Sequence, residues 1–84
     1  MYGNVPYMRN TTYHQRVAEE VRVQLARKSL TQEWLADATG IQSGTLSRRL
    51  RGAPPAFRID EIACIADALQ LDVRDLLPPL GEAA

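Results

Sequence analysis

Between Gln42 and Arg58 the chain gathers an amide, three hydroxyls and four guanidinium groups, on Gln42, Ser43, Thr45, Ser47, Arg48, Arg49, Arg51 and Arg58. Side chains of these types bond the base edges and phosphate oxygens of a duplex. Glutamine can pair bidentately with adenine and arginine with guanine, each good pair discriminating by about 1–3 kcal/mol. On that chemistry Gln42 and Arg48 are expected to read bases, and Ser43, Thr45 and Ser47 to bond phosphate or base edges. Gly44 has no side chain to hold a ligand away from the backbone. Arg51 and Arg58 suit phosphates. Arg49 lies at the border of the apolar face, where it could equally lie flat over the core with its head in solvent. Gln32, further upstream, falls at a helix start, where a side chain and free backbone N–H groups can hold a phosphate.

The charge distribution agrees with a one-sided encounter with phosphate. Net charge is zero, yet residues 1–58 hold nine basic against four acidic side chains, and residues 59–84 one against six. A neutral chain with one basic segment can present a positive face while the rest stays acidic. Other chemistries find little material. His14 and Cys64 are the sole histidine and cysteine, so no metal cluster is expected. No serine or cysteine has a recognisable catalytic setting; neither an enzyme nor a cofactor or small-molecule ligand is expected. One cysteine cannot build an internal disulfide framework, and a lone helical thiol is usually inert. No apolar run approaches the roughly 18 residues of a membrane span. The start, MYGNVPYMRN, lacks the charged-then-apolar layout of a signal peptide. The expected home is the cytoplasm of a bacterial cell or phage-infected host.

Positioning these groups requires helices, and the apolar spacing supplies them. With 84 residues there is room for one core. Residues 1–11 have no periodic pattern and are expected to form a flexible arm. Thr12 and Gln15 have capping-box spacing and open a first helix whose apolar face is Val17, Ala18, Val21 and Leu25. Thr31 caps a second helix, with Leu30 and Leu35 spaced as a hydrophobic staple and Leu35 and Ala36 inward. Gly40 then reverses the chain. Ile41 opens a third helix with Leu46 and Leu50 on its buried side, ended by Gly52 and Pro54-Pro55. A fourth helix is expected over about Ile59 to Leu69, with Ile59, Ile62, Ile65, Ala66 and Leu69 inward. Asp72 begins a short fifth, with Asp75 at the capping-box position and Leu71 and Leu76 as a staple. The expected class is all-α: a compact five-helix domain over 12–77 and a short tail over 78–84.

The run TQEWLADATGIQSGTLSRRLRG resembles the helix-turn-helix of lambda-repressor/Cro-like (Xre-type) transcriptional regulators. VAEEVRVQLARKSLTQ is similar to the family's first helix running into that motif, and IDEIACIADALQLDVRDLL to its fourth and fifth helices. The likeness spans Val17 to Leu77. It implies a lambda-repressor-like DNA-binding fold and operator-type double-stranded DNA as ligand. It also implies DNA-facing positions for Gln32, Gln42, Ser43, Gly44, Ser47 and Arg48. Departures are visible. Trp34 stands where the family often has a glutamate, Ser29 and Gln70 replace glycines common at helix ends, and Arg49 occupies an often apolar position.

Two readings follow. In the first the chain is a sequence-specific regulator, a repressor or Cro-like protein, with the helix around residues 43–51 in the major groove. Members of the family often dimerise through the C-terminal region, which here holds Leu76, Leu77 and Leu80. Those leucines either cap the core or pair with a second subunit. In the second reading the same fold is a protein-interaction module, such as an antitoxin or adaptor, using Trp34, the APPAF link or the leucine-proline tail. Trp34 itself is expected to be partly buried, and Phe57 with Pro55 to form a lid on the core. Tyr2, Tyr7 and Tyr13 are expected in an untethered tail.

Overall fold

Four α-helices and one 3-10 turn account for the ordered elements of a computed structural model that describes residues 4–79, with side chains from residue 13 onward. They are α1 (Asn4–Arg27), α2 (Gln32–Thr39), α3 (Ser43–Leu50) and α4 (Ile59–Leu69), followed by a 3-10 turn over Val73–Leu76. No strand occurs among the described residues. The all-α class stands, while the expected fifth helix is a single 3-10 turn. Asp72 caps it by accepting the Arg74 N–H at 2.8 Å, and Asp75 accepts the Asp72 N–H at 3.1 Å.

The first helix starts earlier than expected. Residues 4–11 belong to α1 rather than to a separate arm, and Thr12 lies inside the helix instead of capping it. Pro6 does not prevent this, because the first-turn N–H groups of a helix have no intrahelical acceptor and a proline there costs no bond. Tyr13 is no tail residue either. Its hydroxyl donates to the Pro78 carbonyl at 2.8 Å, tying α1 to the end of the domain. Tyr2, the side chains of Tyr7, Met8 and Arg9, and residues 80–84 lie outside the described residues.

One apolar cluster holds the elements together. It joins Val17, Val21 and Leu25 of α1, Leu35 of α2, Leu46 and Leu50 of α3, Ile62, Ile65, Ala66 and Leu69 of α4, and Leu76. No polar or charged residue among the described ones is buried. Leu76 and the half-buried Leu77 pack on this cluster, as do Leu30, Ala36 and Phe57. Ile59 does not. It was expected inward and is 78% exposed. Helical periodicity gives the direction a side chain points, and at the first turn of α4 no element among the described residues covers that direction.

The turns between helices explain how four rods close on one core. At the end of α1, Ser29 N–H bonds Ala26 O and Leu30 N–H bonds Leu25 O. The same pair of bonds recurs after α3, through Gly52 and Ala53, and after α4, through Gln70 and Leu71. This is the Schellman arrangement, which needs a left-handed residue at its centre. Gly52 supplies it with φ +80°, while Ser29 and Gln70 adopt φ 57° and 60° despite their side chains. Left-handed backbone costs a residue with a Cβ roughly 1–2 kcal/mol. Replacing Gln70 with glycine should therefore raise unfolding stability by about 1 kcal/mol, read as a higher urea midpoint at unchanged slope.

Candidate nucleic-acid interface

Two local devices set the approach of α2 to α3. Thr31 accepts the Trp34 N–H on its hydroxyl oxygen at 3.0 Å and starts α2. Gly40, at φ +79°, ends it, its N–H bonding Ala36 O at 2.8 Å. After this reversal Gln42 is the N-cap residue and α3 runs Ser43–Leu50, so the helix opens two residues later than Ile41, the expected start. Leu46 and Leu50 are buried, which turns the opposite face of α3 outward.

That outward face carries most of the expected residues. Gln42, Ser43, Gly44 and Arg48 are exposed, and Thr45 and Ser47 are half-buried. The Arg48 side chain has no hydrogen-bond or ion-pair partner among the described residues. A Cβ added at Gly44 would meet nothing within 4 Å, so that position is bare backbone facing open space. Gln42 makes no capping bond with its side chain, and its amide oxygen lies 3.4 Å from the Thr45 hydroxyl that donates to it. The first-turn N–H groups of α3 are thus left without a side-chain cap. Arg51 donates to Ser47 Oγ at 3.1 Å and stays exposed.

Gln32, the first residue of α2, comes together with Arg51 across the motif. The two line a shallow open pocket with Leu50 and Arg22 of α1. Arg22 was not expected at this surface. Its guanidinium donates to the Leu50 carbonyl, satisfying one of the unpaired carbonyls at the end of α3. Nothing local in α1 marks that role, because donor and acceptor meet only through the tertiary fold. The one signal was its positive charge on a helix whose other face is apolar.

Of the two placements open to Arg49, outward or flat over the core with its head in solvent, the structure adopts a variant of the second in which the head is paired rather than solvated. Arg49 does not face outward with Arg48: its Nε and Nη2 donate to the two carboxylate oxygens of Glu61 at 3.0 and 3.3 Å. The two side chains are only 10% and 16% exposed. A bidentate arginine–carboxylate pair this sheltered outcompetes a solvated surface position. Glu61 also accepts the Arg58 backbone N–H at 2.9 Å, closing the start of α4. Partial burial pushes the Glu61 carboxyl up, but the bonds from Arg49 and Arg58 and their positive charges outweigh it and hold the pKa below its ordinary value. The carboxylate is therefore ionised throughout the neutral range. Arg58 meets Asp60 at 3.3 Å with both side chains well exposed, the kind of pair worth little in water, so its guanidinium stays accessible.

A buried-face, bare-face helix following a left-handed glycine turn is the geometry of a helix-turn-helix, and the sequence profile described as the Cro/C1-type HTH DNA-binding domain matches residues 20–79. The chain belongs to the Cro/C1-type HTH family. The match covers α2, the turn, α3 and α4, and reaches back into α1. No curated protein and no solved structure matches the chain. Within this Cro/C1-type domain, α3 is the second helix of the helix-turn-helix. Among the described residues no group of histidine, cysteine and carboxylate side chains could hold a metal, and no helix is long and apolar enough to cross a membrane.

Proposed function

We propose that this Cro/C1-type domain is a sequence-specific regulator of transcription, a repressor or Cro-like protein that occupies an operator in duplex DNA. The observation that carries the reading is the outward face of α3, where the unpartnered Arg48 and the bare Gly44 follow an uncapped helix start. Arg48 and Gln42 take the base-reading roles, with Ser43, Thr45 and Ser47 bonding base edges or phosphate. Gln32, Arg22 and Arg51, grouped round one open pocket, take a backbone phosphate, and Arg58 another. Arg49 has no part in the contact. Steric occupation of the operator would block polymerase or a competing regulator.

Salt dependence tests the reading. Each phosphate neutralised on duplex DNA lowers log affinity by about 0.9 per unit of log salt. The two phosphates, one taken by Arg22 with Arg51 and one by Arg58, predict a slope of about −1.8 for each protein copy. The second reading, a protein-interaction module, draws support from Ile59, 78% exposed, and Trp34, 38% exposed. Exposed Pro54, Pro55 and Ala56 precede Ile59 in the chain. Absence of measurable duplex binding, or binding with a slope near zero, would favour that reading over the first.

A further inference from the structure

We propose that Glu61, on α4, is a positioning residue for DNA reading, fixing the rotation of α3 through Arg49; the inference rests on the regulator reading above. The main contacts of α3 are with α1 and α2, and those of α4 with α2 and the 3-10 turn, while both helices send apolar side chains into the common cluster. A polar connection joins them as well. Arg49 holds both Glu61 oxygens, at 3.0 and 3.3 Å, and its Nη1 lies 3.5 Å from the Pro55 carbonyl in the link. Glu61 accepts the Arg58 N–H at 2.9 Å, so one carboxylate binds the end of α3, the link and the start of α4 into one unit.

The placement of Arg49 on the helix matters as much as the bond. Successive residues of an α-helix turn by about 100°. Arg49 therefore lies between the buried Leu50 on one side and the exposed Arg48 on the other. A tether at that border resists rolling of α3 about its own axis, the motion that would swing Arg48 away from a base edge. Leu46 and Leu50 set the depth of the helix, and the Arg49–Glu61 pair sets its roll.

The sign of one substitution separates this role from simple electrostatics. Glu61→Gln keeps an oxygen for the Arg58 N–H and removes the charge and the second acceptor oxygen held by Arg49. If Glu61 acted merely as a negative charge near DNA, or if Arg49 were a masked DNA contact, the variant would bind duplex more tightly. Positioning predicts the opposite for the preferred site alone. The experiment measures wild type, Glu61→Gln, Arg49→Met and the double variant on the preferred site and on random duplex, with helicity checked at the assay temperature. The expected result is about a tenfold loss on the preferred site for each single variant, little loss on random duplex, and no further loss in the double variant. A Glu61→Gln protein that discriminates as well as wild type, or single losses that add in the double variant, would overturn the positioning role alone. A wild type without any preferred site would overturn the regulator reading and this inference with it.

Discussion

Arg48→Ala is expected to weaken binding to the preferred duplex by about tenfold to a hundredfold while leaving affinity for random duplex nearly unchanged. The asymmetry follows from where the side chain sits. The Arg48 side chain is exposed on the face of α3 opposite its buried leucines and bonds no other side chain or carbonyl among the described residues, so its truncation disturbs no packing. What it loses is a bidentate partner for a base edge, which only the correct sequence offers. Arg51→Ala is the control. Arg51 already bonds Ser47 and lies beside Gln32 and Arg22, the proposed phosphate position, so its loss is expected to weaken both duplexes alike and to lower the salt slope by up to about 0.9. Equal losses for the two variants on both duplexes, measured by titration at fixed salt, would defeat the division of roles.

Leu46→Ala is expected to cost about 2–5 kcal/mol of stability. At the typical 0.05–0.15 kcal/mol per residue, a chain of this length has a total of about 4–13 kcal/mol, so the loss consumes a large share. Leu46 is buried in the common cluster and is one of the two leucines that seat α3. An isolated helix of eight residues has no stability of its own in water, so α3 exists only through that seat. The variant should show a much lower urea midpoint and lose preferred and random duplex together, unlike Arg48→Ala. An unchanged midpoint would mean that α3 is held by something other than its apolar face.

Local signals made much of this domain legible from sequence. Thr31 as a cap, Gly40 as a left-handed stop, the span Ile59–Leu69 and the Asp72–Asp75 cap each depend on residues a few positions apart, and each is present in the structure. Ser29 and Gln70 were visible as non-glycine residues at glycine positions, and both adopt left-handed backbone. The apolar alternation of α3 likewise separated Leu46 and Leu50 from the exposed Gln42, Gly44 and Arg48.

What escaped depends on distance along the chain. Arg49 reaches Glu61 across the link, and Arg22 reaches the Leu50 carbonyl from another helix; no local pattern encodes either partner. A basic cluster read from sequence counts Arg49 toward a DNA face, although its charge is already matched by a carboxylate. Ile59 fits the apolar period of α4 but finds no covering element. Asn4–Thr11 carry no amphipathic pattern, yet they propagate from a helix already nucleated downstream, with Pro6 harmless in the first turn.

The central claim is that the outward face of α3 reads duplex sequence. Selection of the full chain against a random duplex library at near-physiological salt tests it most directly. One sequence should be enriched over successive rounds, a near-palindrome if two copies bind together or a single half-site if one does. A folded, helical protein that enriches no sequence would contradict it.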